Sequence, residues 1–260
     1  MCQTAIILAA GRGSRMKNLT DERPKCLLTL AGKTLLEWQL AALQKAHFSR
    51  IIVVRGYKAD MLTGPFETID NPRWNQTNMV TTLLCAFPHL DPKETVIVAY
   101  ADIVYRPDHL FALKNTPGDI ALTYYTNWQE LWQLRQGDPL IDSETFLEYN
   151  GLLLEIGRKP TSLNEIHGQY MGLLKFSPKG RQIVTDFVAS LPKNTADKLD
   201  MTSLLQGLLK KEQDIMVTPV SGGWCECDTP KDIELYEERL ASGVWLHDWR
   251  VPNLHLLSQP

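Results

Sequence analysis

The residues able to do chemistry in this sequence are concentrated near its start. Leu8-Ala9-Ala10-Gly11-Arg12-Gly13-Ser14-Arg15-Met16 sets two glycines among arginines, with Lys17 directly behind. Glycine lets backbone N–H groups turn toward a phosphate with no side chain in the way, and arginine supplies the opposite charge. Pro24 then stiffens the backbone just before Lys25; a lysine fixed this way can act as a point charge on a phosphate. Two carboxylates complete the set. Asp102 follows the apolar run 95–100, and Asp228 follows Trp224-Cys225-Glu226-Cys227. A carboxylate at the end of a buried strand is unfavourable unless paired or metal-bound, so near a phosphate loop each is a candidate Mg²⁺ ligand. The plainer reading makes Asp102 a helix cap or loop acid, and Asp228 the cap of a helix opening at Pro230. Thr229 can supply that second cap alone, which leaves Asp228 free. Glu226 and Asp228 stand two apart on an apparent strand and share a face, where like charges repel without a cation nearby.

Other chemistries fail on spacing. A Walker A loop ahead of Gly32-Lys33-Thr34 needs glycine at position 27, which is Leu27. A dinucleotide fingerprint needs glycine where Met16 stands and an acid after the second strand, which instead ends in Arg55-Gly56. The six histidines lack metal-site spacing, and no Ser or Cys sits in a nucleophile motif. Five cysteines, an odd number, argue against a disulfide framework; Cys225 and Cys227 have no second pair at zinc spacing. A formal net charge of −3 without a dense basic run leaves no footprint for nucleic acid. Apolar stretches are too short for membrane insertion, and the N-terminus does not read as a signal peptide. A cytoplasmic enzyme is expected.

The elements around these residues alternate between strand and helix. Runs 4–9, 50–55, 95–100 and 118–124 read as strands, with further strands at 214–220 and 223–227. Thr34-Leu35-Leu36-Glu37 forms a capping box opening a helix to about Ala46. Further helices are expected from Asn78, Pro107, Ser177-Pro178, Asp200 and Thr229-Pro230. The expected fold class is α/β: a Rossmann-like, doubly wound mixed sheet in one domain over 1–243, with a small β-rich lid inserted near 124–175. Ligands bind such sheets at the carboxyl ends of the strands, where the glycine loop, Asp102 and Asp228 all fall. The tail 244–260 is expected either to pack on the domain or to contribute to a homodimer interface.

The glycine loop together with Arg23-Pro24-Lys25-Cys26-Leu27-Leu28 and Gly32-Lys33-Thr34-Leu35-Leu36-Glu37 resembles the signature of the sugar-phosphate and alcohol-phosphate nucleotidyltransferases. Within that family it is similar to the phosphocholine cytidylyltransferase branch. Asn75-Gln76-Thr77-Asn78-Met79, the tryptophan-rich run from Asn127 to Arg135, Gly168-Gln169-Tyr170-Met171-Gly172, Asp200-Met201-Thr202 and the run from Trp224 to Thr229 carry that similarity. The resemblance implies a Rossmann-like fold and a Mg²⁺-dependent transfer of CMP from CTP to a small phosphorylated amine. It implies nucleotide contacts at Leu8, Ala9, Ala10, Gly11, Arg12, Gly13, Asn78 and Ala101. Arg15 and Lys25 would be catalytic, and Asp102 and Asp228 would be the metal ligands. Glu226 would face the substrate's amine.

Phosphocholine is the leading acceptor on this reading. A quaternary ammonium donates no hydrogen bond and is held by aromatic faces, at about 0.5–2 kcal/mol per contact. Trp128, Trp132 and Tyr170 are the candidate walls, although Trp128 and Trp132 at i and i+4 suit a buried helix face equally well. Phosphoethanolamine, aminoethylphosphonate or another phosphorylated amine are alternatives. A substrate that also bears a carboxylate would call on Arg135 or Arg158. A sugar-1-phosphate nucleotidyltransferase and a non-catalytic nucleotide-binding module are the rival functions.

Overall fold

The computed structural model describes residues 3–250. The chain runs β1 (Thr4–Ala9), a small hairpin β2 (Thr29–Leu30) and β3 (Lys33–Thr34), α1 (Leu35–Lys45), β4 (Arg50–Arg55), β5 (Glu67–Asp70) and α2 (Met79–Ala86). It continues through β6 (Val96–Tyr100), β7 (Ile103–Tyr105), α3 (Pro107–Asn115), β8 (Ile120–Tyr125), α4 (Trp128–Gln136), β9 (Phe146–Tyr149), β10 (Leu152–Ile156) and β11 (Gln169–Phe176). The last third holds α5 (Pro178–Ala189), α6 (Lys193–Lys198), α7 (Met201–Leu209), β12 (Met216–Val220), β13 (Trp224–Glu226) and α8 (Pro230–Ala241).

Nine strands form one mixed sheet in the order β5-β4-β1-β6-β11-β8-β12-β10-β9. β5, β4, β1 and β6 are mutually parallel, and β11 lies antiparallel between β6 and β8. Alternation along β1 shows how the layers form. Ala5, Ile7 and Ala9 face one buried cluster with Leu35, Leu36 and Leu43 of α1, while Ile6 and Leu8 face another with Val80 and Leu83 of α2. The strand is apolar throughout because both faces are covered. Each fully buried Leu or Ile side chain stabilises by about 1.5–3 kcal/mol. At α1 the capping box forms between Thr34 and Glu37. This is the doubly wound α/β fold expected from the sequence.

Residues 124–175, read from the sequence as a β-rich lid, include the helix α4 as well as strands. The β9–β10 hairpin continues the main sheet through β12, and β11 lies inside the sheet. The run 223–227 supplies β13, which pairs outside the main sheet with β7. That short ribbon has a consequence for chemistry: Cys227 N donates to Asp102 O at 2.9 Å, which draws Asp102 and Asp228 together. The described part of the tail packs on its own domain, with Trp245 against Tyr236 and Trp249 edge-on to Trp38. Residues 251–260 of the expected tail lie outside the described residues. Among the described residues, no helix is long and apolar enough to cross a membrane.

Two histidines are buried in this frame, His109 on α3 and His247, which is hydrogen-bonded to the Tyr125 hydroxyl. Burial disfavours the imidazolium and lowers both to about 4. Histidine in the unfolded chain titrates near about 6.5, so below that the unfolded state binds more protons than the folded one. Stability therefore falls as pH drops through this window, by about 4 kcal/mol for the pair between roughly pH 7 and pH 5. Urea unfolding at the two pH values is the check, and equal stability at both would contradict buried neutral imidazoles.

Candidate active site

The carboxyl ends of β1 and β6 open into a cavity of about 280 Å³. Its floor is the glycine loop, where the sequence's expected long loop folds as 3₁₀ turns over Ser14–Thr20, kinked at Lys17, and over Lys25–Leu27. Pro24 sits extended at φ −60°, ψ 149° and delivers Lys25 into the second turn. Gly13 adopts φ 72°, and a Cβ there would lie 2.7 Å from Lys25 Cδ. Glycine at this position thus serves both the left-handed backbone and the passage of the lysine stem. Gly11 has no such neighbour: nothing lies within 4 Å of a Cβ placed on it.

Lys25 is buried, and its Nζ joins two carboxylates, Asp102 Oδ2 at 2.7 Å and Asp228 Oδ1 at 2.9 Å. Burial works against the ammonium, but the two carboxylates outweigh it and hold Lys25 well above the usual lysine range. Asp228 also meets Arg15 Nη2 at 2.9 Å from its Oδ1 and Arg135 Nη2 at 3.6 Å from its Oδ2. Burial would raise Asp228, yet the neighbouring Glu226 carboxyl, Lys25 and Arg15 hold it well below the usual carboxylate range. Glu226 moves the opposite way, pushed up by burial and then by the Asp228 charge. The Cys26 thiol on the cavity wall is pushed up to about 12 by burial, which leaves no thiolate nucleophile there.

Neither aspartate is a helix cap. Thr229 holds the N-cap of α8 and Arg106 that of α3. The oxygens of Asp102 and Asp228 instead converge on one cationic centre. Two carboxylates completed by phosphate oxygens and water form the donor set that Mg²⁺ favours, so the residues present fit that ion. Among the described residues, no group of three or more His, Cys, Asp or Glu is placed to hold a metal without help from a substrate.

Of the residues singled out in the sequence, Leu8, Ala9, Ala10, Gly11, Gly13, Arg15, Lys25, Asn78, Ala101 and Asp102 line the cavity. Asn78 caps α2, accepting from Met79 N at 2.8 Å. Arg12 points away, paired with Asp21 and lying 5.8 Å from the Tyr57 ring centre. Trp128 and Trp132 are core residues: both are buried, and Trp132 stacks on Trp224 at 6.1 Å and donates to Asp142 O. Tyr170 lies edge-on to Tyr100 at 5.6 Å, and Tyr100 is the ring that reaches the cavity. Arg158 is exposed and paired with Glu155. Trp74, Thr77, Met79 and Thr82 also line the cavity and were not anticipated. Thr77 and Met79 fall inside the stretch 75–79, so that run carried a signal for them; Trp74 adjoins it and carried none of its own.

A glycine loop over a lysine–dicarboxylate centre at strand ends defines a nucleotide-handling α/β enzyme. The chain belongs to the family of the MobA-like NTP transferase domain, whose model matches residues 5–141. It is 35% identical over 251 residues to a CTP:phosphoglutamine cytidylyltransferase of Campylobacter jejuni, covering 90% of this chain and 99% of that protein. A 2-aminoethylphosphonate cytidylyltransferase of Lancefieldella rimae is 33% identical over 113 residues, covering 41% of this chain and 46% of that one. The fold is shared with the inositol-1-phosphate CTP transferase of T. maritima, at a TM-score of 0.71 and 18% identity over 94% of this chain and 98% of the other.

Proposed function

We propose that this nucleotidyltransferase moves CMP from CTP to a small phosphorylated, amine-bearing acceptor. The observation that carries the reading is Lys25, held between Asp102 and Asp228 beneath Gly13 in the wall of the cavity. An acceptor phosphate oxygen attacks the α-phosphorus of CTP in line, a new P–O bond forms, and the bond to pyrophosphate breaks. The acceptor phosphate is already ionised near neutral pH, so no general base is needed. Lys25 neutralises charge at the α-phosphate, and Arg15 with the loop backbone at Gly13 holds the departing pyrophosphate. Asp102 and Asp228 would hold Mg²⁺, which when bound polarises the α-phosphate. Asn78, which lines the cavity, would meet the base. The preference for CTP draws on the two cytidylyltransferase relatives.

Phosphocholine, the acceptor expected from the sequence, needs aromatic walls. Trp128 and Trp132 are committed to the core, and Glu226 lies beside Asp228. An acceptor bearing a carboxylate fits better. A second cavity, of about 430 Å³, shares Arg15 with the first and is also lined by Lys17 and Lys231. Arg135 borders it too, but is occupied by Asp232. Phosphoglutamine, named in the Campylobacter relative, has the carboxylate these cations would meet.

The test is pyrophosphate release with each NTP in turn and four acceptors: phosphoglutamine, phosphocholine, phosphoethanolamine and aminoethylphosphonate. CTP is expected to be the preferred donor. Phosphoglutamine is expected to exceed phosphocholine in kcat/KM by about tenfold or more, the equivalent of one charged contact. Phosphocholine as the best acceptor would overturn the acceptor reading and leave the reaction standing. Release with none of the four would remove the small-amine assignment.

A further inference from the structure

The aspartate at the centre of the site is itself held in place by a chain of contacts from the insert. Arg135 on α4 has a side chain only 1% exposed. Its Nε donates to Asp232 Oδ1 at 2.9 Å and its Nη2 to Asp232 Oδ2 at 3.4 Å. Asp232 on α8 uses Oδ2 to accept from the backbone N–H groups of Asp228 at 2.8 Å and Thr229 at 2.7 Å. Arg135 thus grips the carboxylate that fixes the main chain of Asp228, and it also lies 3.6 Å from Asp228 Oδ2. The opposite oxygen, Oδ1, is then the one presented to Lys25 and Arg15.

This arrangement is expensive to bury. Asp228 and Asp232 share one buried guanidinium, which also feels the Glu226 carboxyl, and a buried ionic group contributes little net stability compared with an apolar replacement. Local capping does not call for it, since an N3 carboxylate caps a helix without a buried arginine behind it. What Arg135 adds is a two-point, planar grip that a lysine cannot reproduce.

We infer that Arg135 and Asp232 are positioning residues that act through Asp228, fixing which of its oxygens faces Lys25 and Arg15. The inference rests on the nucleotidyl-transfer reading, which wild-type pyrophosphate release tests by itself. In this role α4 of the insert sets the geometry of the site without touching substrate.

The experiment is a double-mutant cycle on Arg135→Met and Asp232→Asn, with kcat, the KM for CTP and thermal unfolding measured for each. Each single variant is expected to stay folded and to lose about 10²-fold in kcat, the scale of a small misplacement of a reacting group. The KM for CTP is expected to change by less than about threefold. The double variant should lose no more than the worse single one, because both break the same chain. Arg135→Lys should recover only part of the loss. Additive losses in the cycle would overturn the proposal in favour of two separate structural contributions. A rise in KM that accounts for the whole loss would overturn it in favour of direct contact between Arg135 and substrate. If Arg135→Met fails to fold, the same cycle runs with Arg135→Lys in its place, and full activity in that variant would equally overturn it.

Discussion

Lys25→Ala is expected to lower kcat by about 10²–10³-fold, the loss seen when a preorganised donor is removed from a developing negative charge. CTP affinity is expected to fall by less than about tenfold, because the contact strengthens only as charge builds at the α-phosphate. The geometry separates the two effects. Lys25 Nζ sits 2.7 Å from Asp102 and 2.9 Å from Asp228, deep in the cleft, whereas Arg15, with a 64% exposed side chain, is the cation at the outer edge. Removing Lys25 also leaves Asp102 without its ionic partner, while Asp228 keeps Arg15 and Arg135. Lys25→Arg should not rescue turnover, since a planar guanidinium does not reproduce the point charge that Nζ places 2.7 Å from Asp102 and 2.9 Å from Asp228. Single-turnover kinetics with saturating CTP isolates the chemical step. Wild-type turnover in Lys25→Ala would remove Lys25 from the reaction.

The fold was legible because its signals are local. The apolar, β-branched run of β1, the Thr34–Glu37 capping box and Pro107 at the first turn of α3 each specify an element within a few residues. One side of the cavity was legible for the same reason: Gly13, Arg15 and Lys25 lie close together in the chain, and Asn78 announces itself as a helix cap. Contacts across long separations carried no such signal. Lys25 meets Asp228 across 203 residues, and Arg135 meets Asp232 across 97. From sequence alone Arg135 stood as a candidate partner for a substrate carboxylate, whereas the fold buries it against a carboxylate of its own. The aromatic residues were ambiguous for a physical reason. The i, i+4 spacing of Trp128 and Trp132 serves a ligand wall and a core face equally, and only packing against Trp224 distinguishes them. The partner of β13 was likewise invisible, because a three-residue strand can join any open edge; here it joins β7 and so brings the two aspartates together.

Asp102→Asn and Asp228→Asn are expected to be similar in activity and unlike in stability. Each should lose most turnover, by about 10²-fold or more, if the pair holds the cation that polarises the α-phosphate. Each should also need more Mg²⁺ for half-maximal rate. Stability divides them because their surroundings differ. Asp228 is 3% exposed and is shared by the buried Lys25 and Arg135, each of which keeps one other carboxylate, so neutralising it should cost up to about 3 kcal/mol, below the loss of a fully stranded buried charge. Asp102 has a 22% exposed side chain and one ionic partner, Lys25, which keeps Asp228 when Asp102 is neutralised. Its loss should cost about 1 kcal/mol or less. Asp102→Asn is therefore the cleaner test of chemistry, since a fall in its rate cannot be charged to unfolding. Urea unfolding and the Mg²⁺ dependence of pyrophosphate release, measured on the same preparations, separate the two effects. If Asp102→Asn kept full turnover at low Mg²⁺, Asp102 would be a loop acid that merely pairs with Lys25, and Asp228 would have to serve the nucleotide without it.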